Sequence, residues 1–286
     1  MGEWATRKQV IDPALQEAGW SPIVRYTPGA TYDTAAVEEY ETAEGPADYV
    51  LFHRGEALAA VEAKKLSLGP QNVLVQALRY ARGFRGGAFN FHGFRLPFVY
   101  STNGQVFWFQ DLREPTSRSR QVARFHTPAA LREFLSRDNA AAHAWLGANP
   151  IDDSSLRPYQ RDAIASVEQA LLAGKRRMLV AMATGTGKTF TTIGLAYRLM
   201  RSGLARRILF LVDRRALAAQ AAGAMAIFQP EPALKFDRIY EVFSQRFRRE
   251  DLEDHFRFDP KVLPTEYLTD PKPRDAFVYV CTIQRM

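Results

Sequence analysis

Hydrophobic and polar positions follow two different rhythms along the chain. From Thr6 to about Gly19, Ile11, Ala14, Leu15 and Ala18 recur at helical spacing and predict an amphipathic helix. Thr6 with Gln9 fits a capping box at its start; Asp12 as N-cap with Pro13 in the first turn is the alternative start. "ADYVLFHRGEALAAVEAK", residues 47–64, reads as two strands about a turn at Gly55. A helix is predicted from Pro70 to about Arg82, with Val73, Leu74, Ala77, Leu78 and Ala81 as its apolar stripe. "FVYSTNGQVFWF" predicts a hairpin turning at Asn103-Gly104, and a short helix follows around Pro128 to Ser136. Residues 137–155 lose periodicity and read as a linker.

Beyond the linker, strands alternate with helices, the mark of a parallel α/β sheet. "RMLVAMA" predicts a strand, a glycine-rich turn and a helix follow, and "RILFLVD" and "AFVYVCTI" predict two further strands. Residues 229–275 look irregular, with many prolines and mixed charges. The expected division is residues 1–145 and 146–286, both α/β.

Composition narrows the function classes. The 286 residues are 47% hydrophobic, enough for two ordinary cores. A net charge of +7 tilts the expectation towards a polyanionic partner. Cys281 is the only cysteine, so a disulfide framework is excluded; an inert core residue and a cytoplasmic protein are expected. The five histidines show no metal-ligand spacing, and no segment approaches the ~20 apolar residues of a membrane span.

"ATGTGKT", residues 183–189, follows a predicted strand and opens a helix, the setting a phosphate-binding loop requires. Backbone N–H groups of Thr184, Gly185, Thr186 and Gly187 can cradle phosphate oxygens, Lys188 can reach the outer phosphates of ATP, and the Thr189 hydroxyl can hold magnesium. Met182 stands where the full pattern has its first glycine. "LRPYQRDAI" places Gln160 where superfamily 2 helicases carry a glutamine that reads adenine. "LVDRRALAAQ" and "VCTIQRM" resemble their nucleic-acid-contacting motifs, so Arg214, Arg215 and Gln220 are candidate DNA contacts, with a solvated helix start as the alternative. No Asp-Glu pair follows an apolar strand after residue 190, where such motors place magnesium and water. The expectation is the leading fragment of a longer motor that binds ATP weakly and does not turn it over.

Glu62-Ala63-Lys64 fits half of a nuclease signature, as do Asp259-Pro260-Lys261 and Asp270-Pro271-Lys272. Only Glu62 ends a predicted strand whose hairpin partner supplies a second carboxylate. With a three-residue turn, Arg54-Gly55-Glu56, Asp48 lies directly across from Glu62, close enough to share a magnesium ion. A two-residue turn would slip that register. Lys64 points to the same face as Glu62, and Gln76 with Tyr80 forms an i, i+4 pair on the next helix.

Together, "ADYVLF…AVEAKK…QALRYA" resembles the nuclease domain of type I restriction enzyme motor (R) subunits, of the PD-(D/E)xK class with a Q-x-x-x-Y extension. The order of nuclease, linker and superfamily 2 translocase also matches that family. The resemblance implies a restriction-endonuclease-like domain followed by a partial RecA-like lobe. It implies Asp48 and Glu62 as metal ligands, Lys64 as the catalytic lysine, and Gln76 and Tyr80 as the extension pair. Ala47 replaces the proline of the motif, and Glu17 is a weaker candidate for a further carboxylate. The implied activity is magnesium-dependent cleavage of double-stranded DNA coupled to ATP-driven translocation, under control of methylase and specificity subunits. The alternatives are a helicase or another restriction protein with a fused nuclease domain, or a DNA-binding module with an inactive nuclease fold.

Overall fold

The computed structural model describes residues 2–64, 74–115, 117–152, 155–245, 261–265, 267 and 275–285. Packing divides the chain into two compact units, Met1–Ser136 and Arg137–Met286.

In the first unit, α1 (Glu3–Thr6), a π turn (Arg7–Ile11) and α2 (Asp12–Glu17) form one helical stretch. It begins earlier than either expected start: the Thr6 hydroxyl donates to the Gly2 carbonyl, and Asp12 has helical φ and ψ rather than those of a cap. Pro13 explains the π turn, since it lacks an N–H and its ring crowds the carbonyl four residues back.

The sheet has seven strands in sequence order: β1 (Ile23–Arg25), β2 (Ala35–Thr42), β3 (Gly45–His53), β4 (Glu56–Ala63), β5 (Phe98–Thr102), β6 (Phe107–Asp111) and β7 (Arg120–Val122). β1–β2 and β4–β5 pair in parallel and the other neighbours antiparallel. α3 (Leu74–Gly83) and α4 (Pro128–Leu135) match the predicted helices, although residues 70–73 lie outside the described ones. Leu51, Val61 and Tyr100 are buried on one face of the sheet with Ile11 and Leu15; Val50, Ala60 and Val99 are buried on the other with Ala77 and Tyr80. Cover on both faces is why "ALAAV" is an unbroken apolar run rather than an alternating one.

The β3–β4 turn departs from expectation in an instructive way. His53 pairs with Glu56, so the loop is the two residues Arg54 and Gly55, both at positive φ, as a tight hairpin turn requires. A bulge then shifts the pairing from Phe52↔Ala57 to Leu51↔Ala59. The extra residue restores the register that a three-residue turn would have produced.

The second unit contains α5 (Asn139–Ala148), α6 (Pro158–Leu172), α7 (Lys188–Arg201), β8 (Arg207–Val212), α8 (Arg215–Ile227), α9 (Phe236–Ile239), β9 (Glu241–Ser244), β10 (Lys261–Val262) and β11 (Phe277–Thr282). Its strands run in parallel in the order β10-β9-β11-β8. α5 occupies the stretch expected to be linker: Asp138 caps it, Leu146 is buried, and the Arg198 guanidinium sits over the Trp145 ring. Cys281 is buried, as expected.

The predicted strand "RMLVAMA" does not form. Residues 175–183 have no regular structure, and Leu179 is 93% exposed. A central parallel strand is held by ladder bonds to neighbours, and among the described residues no strand pairs with this run. No helix among the described residues is long and apolar enough to cross a membrane.

Candidate active site and phosphate loop

Continuing the β3–β4 register by one step from Tyr49↔Val61 sets Asp48 across from Glu62, on one face of the sheet. Asp48 Oδ2 accepts the Ala63 N–H at 2.7 Å, which ties its carboxylate to the end of β4. The Lys64 ammonium donates to Glu62 Oε1 and, at 3.3 Å, to Gln76 Oε1. Gln76 Nε2 donates to the Tyr80 hydroxyl at 2.9 Å. Hydrogen bonds thus link Glu62 on β4, Lys64 just past its end, and Gln76 and Tyr80 on α3, while Asp48 on β3 joins them through the Ala63 N–H.

Burial sets the electrostatics. The Glu62 side chain is 2% exposed, and desolvation, reinforced by the Asp48 charge, pushes its carboxyl up to about 7. Lys64 and the Tyr80 hydroxyl offset part of that rise. Burial and the Glu62 charge together push the Tyr80 phenol up to about 12, so it stays a hydrogen-bond donor at neutral pH.

Glu62 Oε2 is buried without a hydrogen-bond partner. Such an orphan is costly, and a cation between Glu62 and Asp48 would satisfy it. The oxygen-only donor set suits magnesium, which is commonly held by one or two carboxylates and keeps several waters. Among the described residues no three His, Cys, Asp or Glu side chains form a closed cage.

Other candidates fall elsewhere. Glu17 is exposed and pairs with Arg124, away from this centre. Of the two competing Asp-Pro-Lys tripeptides, Asp259, Pro260 and residues 270–272 lie outside the described ones, as does Lys65. Sequence reasoning missed Arg7, which donates to Asp48 Oδ1 at 3.2 Å. It also missed Tyr49, whose hydroxyl donates to Asp12 Oδ1 at 2.6 Å. The one available signal was a basic pair at Arg7 and Lys8 beside Asp12 on an otherwise apolar helix face.

In the second unit, Gly185 and Gly187 both have φ of +79°, and Gly187 is the N-cap of α7. Thr184 is exposed and Thr189 half-buried on the first turn of that helix. The Lys188 ammonium donates to the carbonyls of Met182 and Ala183, and Thr186 Oγ1 to that of Ala183. Gln160 is buried beneath this loop: its Nε2 donates to the Thr186 carbonyl at 2.9 Å, and its Oε1 accepts the Arg157 N–H at 2.8 Å. A Cβ on Gly187 would lie 2.3 Å from that Nε2, so a side chain there would push the Gln160 amide off the loop. Arg214, Arg215 and Gln220 are exposed around the start of α8, and Arg215 lines a shallow pocket with Asp213, Gln245, Thr282 and Gln284.

Comparison with known proteins accounts for both units. A family model described as "Type I restriction enzyme EcoKI endonuclease subunit second domain" matches residues 24–135, which carry the acidic centre. One described as "Type III restriction enzyme, res subunit" matches residues 153–286, which carry the phosphate loop. The type I restriction enzyme EcoKI endonuclease subunit of Escherichia coli (strain K12) is 34% identical over 75% of the chain. The chain is a homologue of type I restriction endonuclease subunits. The EcoAI endonuclease subunit of Escherichia coli is 33% identical over 73% of the chain. The chain spans about a quarter of the length of these relatives, 23% of the first and 27% of the second. The mixed sheet followed by a parallel one agrees with a nuclease domain leading into a RecA-like lobe.

Proposed function

We propose that the chain supplies the DNA-cleaving centre and the ATP-binding loop of a type I restriction motor subunit. The observation that carries this reading is the connected set Asp48–Glu62–Lys64–Gln76–Tyr80 around the orphaned Glu62 Oε2. Asp48 and Glu62 would hold magnesium; bound there, the ion supplies charge neutralisation at the scissile phosphate and a more acidic attacking water. Lys64, bridged between Glu62 and Gln76, orients that water and stabilises the negative charge that grows on the phosphate. Gln76 and Tyr80 keep the Lys64 ammonium in place.

In the second unit, the amides of residues 184–187 and Lys188 bind the ATP phosphates, Thr189 takes part in holding their magnesium, and Gln160 supports the loop while meeting adenine. Arg214, Arg215 and Gln220 contact DNA. Double-stranded DNA is the substrate, and methylase and specificity subunits are the partners of the whole enzyme, which works in the cytoplasm. Support comes from the homology to EcoKI and EcoAI subunits and from the net charge of +7.

The test is nicking of supercoiled plasmid by the full-length subunit with its partner subunits and ATP, with and without magnesium. Cleavage should require the metal and vanish in Lys64→Ala. Cleavage retained by Lys64→Ala would sink the assignment.

A further inference from the structure

The N-terminal helix reaches the acidic centre through one side chain. Arg7 is 9% exposed, and its fork grips Asp48 twice: Nη1 donates to the carboxylate Oδ1 and Nη2 to the main-chain carbonyl, each at 3.2 Å. Nη1 also donates to Glu39, and the guanidinium lies 4.9 Å from the centre of the Tyr49 ring. A rigid planar guanidinium can make these contacts together; an ammonium cannot.

The supports of Arg7 are themselves held. Glu39 sits at φ +53°, a left-handed conformation that costs a non-glycine residue free energy and persists only where its surroundings impose it. Tyr49 is anchored through its hydroxyl on Asp12. Arg7 opens the π turn, and the β5–β6 loop presses on that turn so closely that a Cβ on Gly104 would lie 2.5 Å from Val10 Cγ1.

We propose that Arg7 is a positioning residue of the nuclease centre, clamping the Asp48 carboxylate from the side opposite Ala63 so that it meets the metal in one fixed orientation. The proposal rests on the reading of Asp48 and Glu62 as the magnesium ligands. Two effects of removing Arg7 oppose each other. Losing a cation beside Asp48 would tighten metal binding by Coulomb attraction, whereas freeing the carboxylate to rotate would weaken it. The multipoint grip favours the second, and outer partners of metal ligands are typically worth about 10- to 100-fold in affinity or activity.

The experiment titrates Mn2+ into the 286-residue chain, followed by electron paramagnetic resonance, for the wild type, Arg7→Ala, Arg7→Lys, Glu39→Gln and Asp48→Ala. Arg7→Ala should weaken binding about tenfold or more, with ATP-analogue binding by the second unit unchanged. Arg7→Lys keeps the charge but not the fork, and should stay close to Arg7→Ala. Should Arg7→Ala fail to fold, Glu39→Gln removes one support of the guanidinium and should weaken binding severalfold. Unchanged or tighter Mn2+ binding in Arg7→Ala, or in Glu39→Gln where that variant stands in, overturns the proposal; so does full recovery in Arg7→Lys. Wild-type binding by Asp48→Ala would instead bring down the reading of the metal ligands themselves.

Discussion

Two apolar runs of this chain, alike in sequence, end in opposite states. In the first unit "ALAAV" lies at the middle of a seven-stranded sheet, paired on both sides and covered on both faces. In the second, "MLV" at residues 178–180 has equal apolar character, yet all three side chains are exposed. Hydrophobic pattern therefore names a strand but does not make one; hydrogen-bonding neighbours do. The chemistry divides in the same way. The proposed nuclease centre is built from side chains on adjacent strands and a helix and needs a finished sheet, whereas the proposed phosphate loop is a short stretch of backbone at a helix start, held from below by Gln160.

The sharpest way to break this comparison is to uncouple the two sites. Asp48→Ala in the full-length subunit should lower DNA cleavage by about a thousandfold or more while leaving DNA-stimulated ATP hydrolysis intact. Equal loss of both activities in a folded variant would show that the sites are not independent. Next in size is the core of the complete sheet. Leu51 is fully buried, and Leu51→Ala should cost about 3 kcal/mol in urea unfolding of the first unit.

Glu62 sharpens the contrast through pH. Its carboxyl is raised from 4.5 to about 7 in the folded chain, so the native state holds a proton that the unfolded state releases. In chelator, stability should fall as pH rises from about 4.5 through 7, because the buried group must then ionise. Glu62→Gln stays neutral and should exceed the wild type by on the order of 2–3 kcal/mol at pH 8, since a tenfold change in proton affinity corresponds to ~1.4 kcal/mol. The difference should close below pH 4.5; a gap that widened towards acid would refute the assigned direction. Gln160→Ala removes the support under Thr186 and should weaken ATP-analogue binding about tenfold, or ~1.4 kcal/mol, measured by fluorescence titration. The smallest effect is expected at Leu179: Leu179→Ala should change the stability of this chain by less than about 0.5 kcal/mol. A loss as large as that of Leu51→Ala would mean that the run is packed after all.

Local pattern alone carried much of this protein. Turn positions at Gly55 and Asn103-Gly104, helical spacing in α3 and α4, and the glycine–lysine order that opens α7 are short-range signals set by backbone sterics, legible without a fold. Asp48, Glu62, Lys64, Gln76 and Tyr80 could be singled out as candidates by residue type and by strand and helix spacing, but the sequence did not supply the true path to their alignment. β2 was not, since its charged half, "EEYET", is held by pairing with β3 rather than by burial of an apolar face. The turn length was misjudged, and the right register came instead from a bulge, which no local signal announces. The reach of Arg7 across 41 residues to Asp48, the strained backbone of Glu39 and the protonation of Glu62 near neutral pH belong to the tertiary structure alone. Each depends on desolvation and on partners distant in sequence, and neither exists until the sheet has closed around them.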